Sequence, residues 1–339
     1  MCLLDNLPFF HINDDELNNL YKSDITSYFD KDIYSTIDDL KLKFSAVKSN
    51  SNCYISIFHI NIRSLIKNFD SMHQLICSLP SPPDIIAISE TKLNKNSHMN
   101  FIQIKNYTFI NINSSTCAGG VGIYIQNKFK FTVREDLGLG NCEAETLWIT
   151  IETGISKKTT IGVVYKHPKF KIPEFSEKMN ETFSKLSQDK QNCYIIGDLN
   201  INTNSKSKSI LQYGQLIKSY NYHNIIKSPT RITKNSATCI DHLYTNNKNS
   251  VIKKFLIIDN TTDHLPIYAL INLKQSPKKY EPIYYRDFTK LNSTNLIETS
   301  SEQFQNLYND FITNTESNIH TEFKTLNDLI FDILDTNLP

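Results

Sequence analysis

Seven polar positions lie where short apolar runs of the sequence end. They are Asn61, Glu90, Tyr165, the turn with Asp198 and Asn200 (counted once), Asp241, Asp263 and His264. A carboxylate beside four apolar residues is costly to bury without a partner, so each must lie at an exposed strand mouth or bind something. Strand ends are where α/β folds build their sites, and we expect these side chains to converge. Such a set is suited to holding a hard divalent cation and moving protons.

Each position taken alone also has a structural explanation. Asn61 alone would be a turn residue, Glu90 a cap of the next segment, and Tyr165 packing at a rim. The phrase Gly197-Asp-Leu-Asn is common in turns, and an Asp-His pair is more often a surface pair. These explanations require all seven placements to be coincidental, so a shared site is the stronger hypothesis.

The elements that position these residues are short strand-like runs bounded by turn residues. The runs are Tyr54–Ile60, Asp84–Ser89, Tyr107–Ile112, Val121–Ile125, Leu147–Glu152, Thr160–Tyr165, Cys193–Gly197, Cys239–Tyr244, Lys253–Ile258 and Pro266–Leu273. Helical spacings lie between them at Phe69–Leu79, Phe175–Leu186 and Leu211–Tyr220. Loops too short for crossovers favour mixed sheets. We predict an α/β fold: a four-layer sandwich of two packed mixed β-sheets flanked by helices.

Charge divides the chain into three segments. Residues 1–50 carry a net charge of −4, residues 51–275 carry +10, and residues 276–339 carry −5. We predict a weakly ordered acidic lead-in, a folded domain over 51–275, and an acidic helical tail. The basic domain favours a polyanionic partner, although scattered surface lysines explain the same count equally well.

Cysteine usage and hydropathy indicate an intracellular protein. The seven cysteines form no Cys-x-x-Cys pair, and Cys53, Cys193 and Cys239 lie in strand-like runs. We therefore expect free buried thiols, without a disulfide framework or a zinc site. No apolar run approaches the roughly 18 residues of a membrane span, so no membrane partner is expected.

The ordered polar positions resemble the signature of the endonuclease/exonuclease/phosphatase superfamily. Six phrases also resemble the apurinic-type endonuclease domain of non-LTR (LINE-like) retrotransposons. They are Asn61-Ile-Arg-Ser-Leu, Ile88-Ser-Glu-Thr-Lys-Leu, Gly119-Gly-Val-Gly-Ile-Tyr-Ile, Gly162-Val-Val-Tyr-Lys-His-Pro, Gly197-Asp-Leu-Asn-Ile-Asn and Ser228-Pro-Thr-Arg-Ile-Thr. The resemblance covers Asn52 to Leu273 and implies a DNase I-like fold and single-strand nicking of DNA. The tail resembles the linker that precedes a reverse transcriptase, so such a domain in the parental protein is an expected partner.

The resemblance also implies a metal. A hard cation held by oxygen ligands neutralises a phosphodiester and stabilises its leaving group. Glu90 is then the principal ligand with Asn61 beside it, and Asp263 is either a further ligand or a structural hydrogen-bond acceptor. Mg²⁺ is the implied ion, with Mn²⁺ as the alternative, and Mg²⁺ needs only one or two protein carboxylates.

Catalytic roles follow from the same resemblance. Asp198 positions or deprotonates the attacking water, and Asn200 holds the transition-state oxygens. His264 contacts the phosphate or acts as base, oriented by Asp241, while Tyr165 donates to a non-bridging oxygen.

Five further residues are predicted to contact DNA. They are Arg63, Lys166, Lys169, Thr230 and Arg231. A solvated basic turn is the alternative for the two lysines, and loop shaping is the alternative for Thr230 and Arg231. The resemblance places the site of action in the nucleus. Two other functions stay open: a phosphatase or phospholipase of the same superfamily, and a silent remnant that only binds nucleic acid.

Overall fold

The structure is a computed structural model. It describes residues 33–48, 54–97, 99–114, 118–140, 143–154, 157–233, 235–273, 293–313, 324–330 and 332–333. The chain divides into two compact units, residues 1–276 and 277–339.

The first unit contains both strands and helices, in mixed order along the chain. In order they are β1 (Tyr34–Ser35), α1 (Ile37–Lys48), β2 (Tyr54–Asn61), α2 (Leu65–Ser78), β3 (Ile85–Ser89), β4 (Tyr107–Ile112), β5 (Val121–Gln126), β6 (Phe131–Val133), β7 (Ala144–Gly154), β8 (Lys157–Lys166), α3 (Ile172–Asp189), β9 (Asn192–Asp198), α4 (Lys208–Ser219), β10 (His223–Asn224), β11 (Arg231–Thr233), β12 (Ser236–Thr238), β13 (Asp241–Thr245), β14 (Val251–Ile257) and β15 (Ile267–Asn272). Short 3₁₀ turns at Met99–Ile102, Glu135–Leu137 and Lys248–Ser250 connect some of them. The second unit contains α5 (Ser293–Thr313) and helical residues 324–330 and 332–333.

Two mixed sheets form the centre of the first unit. Within the described residues, sheet I has the order β1-β14-β15-β2-β3-β5-β4 and sheet II the order β10-β13-β9-β8-β7-β6. The neighbours β1/β14, β2/β3 and β8/β9 run parallel, and the other pairs run antiparallel. A small ribbon of β11 and β12 stands apart.

The central strands pack on both faces because both of their faces are largely apolar. In β2, Ile55 and Ile57 belong to the core between the sheets, whereas Phe58 and Ile60 pack on the helical side. Side chains alternate with a period of two, so this division is set by residue parity. The central core thus receives alternate residues from both sheets.

Helices complete the outer layers. The apolar faces of α1 and α2 pack on sheet I. Met72 and Ile76 of α2 lie in the same hydrophobic cluster as Phe58 of β2. The apolar stripe of α3, including Phe175 and Phe183, packs on sheet II together with α4. Helix, sheet, sheet and helix make four layers, which confirms the predicted fold class.

The folded unit begins earlier than predicted. Residues 33–48 were assigned to the weakly ordered lead-in, but β1 pairs with Leu256 and Ile257 of β14. Leu40 and Phe44 of α1 are 0% and 1% exposed in the core beneath sheet I. Two apolar residues among many charged ones give a weak helical pattern, which is why the sequence placed the boundary at residue 51. The rest of that lead-in, residues 1–32, lies outside the described residues.

Two smaller expectations also have a structural answer. Cys193 and Cys239 are buried free thiols, as predicted, whereas Cys53 lies outside the described residues. In the part of the chain that the structure describes, no helix has the length and apolar character needed to cross a membrane.

Candidate active site

The predicted site residues emerge at one end of the space between the sheets. Asn61 shares the parity of Ile55 and Ile57, and Asp198 shares that of Ile196, so both face the central core. Asp241 of β13 lies directly opposite Asp198 of β9 in the antiparallel register. Residue parity and strand register therefore bring carboxylates from separate strands to the same place.

Asn61 connects two of these carboxylates. Its Nδ2 donates to Glu90 Oε1 at 3.0 Å and to Asp198 Oδ2 at 2.8 Å, while its Oδ1 accepts from the Arg63 amide at 3.2 Å. Tyr165 Oη donates to the same Glu90 oxygen at 3.4 Å. Asn61 therefore lies beside Glu90 with its amide donating hydrogen bonds to both carboxylates, and its role as a metal ligand stays a prediction.

The backbone around the site adopts conformations that most residues avoid. Glu90 and Asn200 have φ angles of 52° and 48°, in the left-handed region. Gly197 has φ 151°, and a Cβ there would overlap the backbone carbonyl of Val164 in β8. Glycine thus lets β9 approach β8 closely, and Asp198 follows immediately at the strand end.

Asp241 and His264 form a buried pair. His264 Nδ1 lies 2.8 Å from Asp241 Oδ2, and the Thr230 hydroxyl donates to that oxygen at 2.7 Å. Thr230 Oγ1 also accepts from the amides of Ile240 and Asp241, at 3.2 and 3.0 Å. Thr230 is therefore a positioning residue for the pair.

The loop that carries His264 is tied to β2. The Thr262 hydroxyl donates to Asn61 O at 3.0 Å and accepts from the His264 amide at 3.2 Å. This loop thereby sets His264 at the same strand end as Asn61. The hydroxyl before Asp-His is the sequence feature that indicates this turn, because Thr side chains bond to nearby backbone in turns.

Burial and neighbouring charges together shift the pKa values of the cluster residues. Burial alone lowers the pKa of His264, but the Asp241 carboxylate outweighs it and raises the pKa to about 9. Burial, reinforced by repulsion from Asp241, raises the pKa of Asp198. Burial and the Glu90 charge raise the pKa of Tyr165, which stays a neutral donor. The His264 ring is then cationic at neutral pH, and Asp198 is suited to accepting a proton.

The donor set fits a hard divalent cation. Oxygen atoms of Asp198 and Asp241 lie within 4.8 Å of each other and of a ring nitrogen of His264. The cationic ring offers no lone pair to a metal, so the carboxylate oxygens are the candidate ligands. Asp241 Oδ1 is buried and has no hydrogen-bond partner among the described residues. Buried carboxylate oxygens without partners are unfavourable unless a cation compensates them, and oxygen donors are those that Mg²⁺ prefers. Glu90 and Asn61 border this cluster through the bonds given above.

Asp263 is outside this cluster. Its Oδ1 pairs with Arg63 Nε at 2.8 Å, and its Oδ2 accepts from Arg231 Nε at 2.7 Å. Two guanidinium groups already compensate its charge. The structure therefore shows Asp263 as a hydrogen-bond acceptor from two arginines, and its role as a metal ligand stays a prediction.

The predicted DNA-contact residues divide into two groups. Lys166 is 1% exposed, burial lowers its pKa to about 8, and its Nζ donates to His167 O at 3.0 Å. Thr230 is 0% exposed. Neither side chain is accessible to a DNA backbone, which corrects both predictions. Nothing in the residues around Lys166 indicates that strand β8 buries its side chain. Arg63 and Lys169 are exposed and Arg231 is half-buried, so these three remain candidates.

Comparisons with known proteins agree with this arrangement. A model of the Endonuclease/Exonuclease/phosphatase family matches residues 56–264, which span all the cluster residues. No curated protein matches the sequence.

Solved structures show the same fold at low identity. AP endonuclease LMAP from Leishmania major is 13% identical, with a TM-score of 0.55 over 67% of this chain and 91% of that one. An AP endonuclease from Archaeoglobus fulgidus is 14% identical, with a TM-score of 0.51 over 64% and 99%. The endonuclease domain of TRAS1, a telomere-specific non-LTR retrotransposon, is 11% identical, with a TM-score of 0.50 over 65% and 99%.

Proposed function

Because this chain belongs to the endonuclease/exonuclease/phosphatase family, whose members hydrolyse phosphodiester or phosphate esters, we propose that it nicks one strand of DNA. The proposed cofactor is Mg²⁺, with Mn²⁺ as the alternative ion. The proposal rests on one observation. Side chains from separate strands and loops converge at one end of the two sheets: Glu90, Asn61, Asp198, Asp241 and His264.

Asp198 is proposed to receive the proton of the attacking water. Its two oxygens accept from the Asn200 amide at 2.9 Å and from Asn61 Nδ2 at 2.8 Å, which fixes the carboxylate plane. Its raised pKa brings it closer to neutrality, where a general base is most effective. Asn200 Nδ2 donates to Lys166 O at 2.9 Å, so this side chain also reaches the edge of β8. We propose that Asn200 holds the transition-state oxygens.

His264 is proposed to bind a phosphate oxygen through Nε2. Asp241 holds Nδ1, so the ring has one nitrogen left to donate, and its raised pKa keeps it cationic. Tyr165 contributes a second donor, which is neutral, next to Glu90. A divalent cation at the Glu90 edge would supply neutralisation of the phosphoryl oxygens and of the leaving alkoxide.

DNA is the proposed substrate, and a retrotransposon-type endonuclease is the proposed class. The phrases Asn61-Ile-Arg-Ser-Leu and Ser228-Pro-Thr-Arg-Ile-Thr, with the basic net charge of residues 51–275, support both. Arg63, Arg231 and Lys169 would contact backbone phosphates. The nick would leave a 3′-hydroxyl for an associated reverse transcriptase, and the nucleus would be the site of action.

Nicking of supercoiled plasmid by the full chain tests this function. We expect relaxed circles with Mg²⁺, none with EDTA, and none from Asp198→Ala or His264→Ala. Asp70→Ala, an exposed aspartate on α2, is the matched control and should nick like the wild type. Hydrolysis of small phosphoesters without nicking would contradict the proposal in favour of a phosphatase. DNA binding without turnover would contradict it in favour of a silent remnant.

A further inference from the structure

An open cavity of about 1230 Å³ lies in the first unit, and none of its lining residues belongs to the catalytic cluster. Its walls come from α4, β10, the end of β13 and the start of β14. Two contacts connect sheet I to the segment after β10: Lys254 Nζ donates to Ile225 O at 3.0 Å, and Tyr34 Oη donates to Pro229 O at 2.9 Å. The cavity therefore borders the same edge of both sheets.

Six lysines line this cavity, which we call the lysine cavity. They are Lys43, Lys218, Lys227, Lys248, Lys253 and Lys254. Among the described residues that line it there is no aspartate or glutamate. Lysines from five separate segments repel one another when they converge, and a concave basic surface concentrates positive potential. The lysine cavity therefore attracts polyanions.

Four of the six ammonium groups are available to a ligand. Lys43 and Lys254 already donate hydrogen bonds within the protein. Lys218, Lys227, Lys248 and Lys253 are exposed, and in the part of the chain that the structure describes they have no ion pair or hydrogen bond. Lysine ammonium groups without partners are the usual contacts to phosphate oxygens.

The size and shape of the cavity favour an extended occupant. Pockets for small ligands measure roughly 300–1,000 Å³, which the lysine cavity exceeds. Apolar residues such as Ile210, Ile217 and Val251 stand between the lysines, so the walls are amphipathic. A flexible single strand follows such a concave basic surface, whereas a duplex is a stiff rod.

We propose that the lysine cavity binds the phosphodiester backbone of a single-stranded nucleic acid, at a position separate from the catalytic cluster. Binding there needs neither a divalent cation nor the Asp241–His264 pair. It depends on ammonium groups that the proposed cleavage reaction does not use. The sequence of bases is not read, because backbone contacts position a strand without specifying it.

Binding of a labelled single-stranded oligonucleotide to the full chain in EDTA tests the proposal. The test variant changes Lys218, Lys227, Lys248 and Lys253 to Gln. The control variant changes Lys105, Lys130, Lys158 and Lys178 to Gln; these are also exposed, and none lines the cavity. The control has the same net charge as the test variant, so any difference between them reflects position.

We expect the test variant to bind at least roughly tenfold more weakly than the control, with a salt slope shallower by about 3. Single-stranded DNA, single-stranded RNA and duplex DNA are compared as probes, and the four test substitutions should weaken binding of both single strands more than binding of the duplex. Equal affinity of the two variants would overturn the proposal. An equal or larger loss for the duplex would overturn it as well, as would a larger loss for polyglutamate, which would indicate an acidic protein partner. The test variant should nick supercoiled plasmid with Mg²⁺ like the control variant, because none of its four lysines belongs to the catalytic cluster, so loss of strand binding and loss of nicking are separable.

Discussion

Thr230 shows how much of the candidate site depends on a single buried hydroxyl. It donates to Asp241 and accepts two backbone amides, and it is flanked by the β-bridge between Arg231 and His264. A threonine within Ser228-Pro-Thr-Arg has no sequence feature that separates a DNA contact from an internal hydrogen bond. The type and order of the acids and His264 could be predicted from sequence, but this supporting hydroxyl could not.

Replacing the Thr230 hydroxyl should impair turnover more than substrate binding. Thr230→Val keeps the shape but removes the donor to Asp241, so we expect kcat to fall by roughly tenfold or more with KM little changed. The free energy of unfolding should fall by about 1–3 kcal/mol because buried polar groups lose a partner. Thr230→Ser keeps the hydroxyl and should restore both. Steady-state nicking kinetics and denaturant unfolding measure this; wild-type kcat in Thr230→Val would contradict the role.

His242 should make the protein sensitive to acid. Its Nε2 lies 2.9 Å from Ile201 O and its Nδ1 lies 3.2 Å from Asn224 Nδ2. The amide of Asn224 is oriented by its Oδ1, which accepts from Ile226 N. A proton on Nδ1 would face a donor, and burial lowers the pKa of His242 from 6.5 to about 4. The folded state therefore resists protonation.

The sign of the effect follows from linkage. The pKa of His242 is lower in the folded state than in the unfolded state. The stability that its neutral ring contributes is therefore fully present above pH 6.5 and is lost as the pH falls toward 4. The loss reaches about 3 kcal/mol for this one group. We expect His242→Gln to flatten the pH dependence of unfolding free energy in this window, measured in EDTA. His73→Gln, on the half-exposed α2 position, should leave it unchanged; equal slopes in the two variants would exclude the mechanism.

At the scale of elements, the strands could be predicted from the sequence, but which strands pair with one another could not. Runs such as Ile85-Ile86-Ala87-Ile88 are apolar on both faces, and this property identified β3 and the other central strands. Parity within each strand also fixes which polar residue faces the central core. Register is different, because the pairing of Asp241 with Asp198 depends on how β13 and β9 meet across 42 residues of intervening chain. Only the folded structure supplies that contact.

The close approach of β9 to β8 should tolerate no side chain at Gly197. Gly197→Ala places a Cβ against the Val164 carbonyl at a φ of 151°, so we expect a loss of at least about 3 kcal/mol in unfolding free energy and loss of nicking. Gly214→Ala on α4 meets nothing within 4 Å and should be neutral or stabilising by up to about 1 kcal/mol. Chemical denaturation compares the two; a tolerated Gly197→Ala would contradict the packing of these strands.

Helix α1 should contribute to the stability of sheet I. Phe44 is 1% exposed and its ring lies 5.8 Å from that of Tyr268 and 6.3 Å from that of Tyr54. We expect Phe44→Ala to lower the unfolding free energy by about 3–5 kcal/mol through the cavity it creates. Leu42→Ala, at a position 73% exposed, is the matched control and should change it by less than about 0.5 kcal/mol. Thermal and denaturant unfolding give both values, and equal effects would mean that residues 37–48 do not pack in solution.

At the scale of the whole molecule, the sequence predicts a charge but not its location. The net charge of +10 over residues 51–275 was visible from composition. Four exposed lysines of one cavity come from residues 218 to 253, and Lys43 joins them from the segment assigned to the lead-in. Lys166, in contrast, was predicted to contact DNA and is buried. Folding therefore decides which basic residues are available to a polyanion.

The central claim is that side chains from five separate segments surround one cation and one scissile ester. Anomalous scattering from crystals of the protein soaked in Mn²⁺ tests it most directly. We predict a metal peak bordered by Glu90 and the Asp198–Asp241 pair, with metal–oxygen distances of about 2.1 Å. A well-occupied metal peak elsewhere in the molecule, with none at this cluster, would contradict the account.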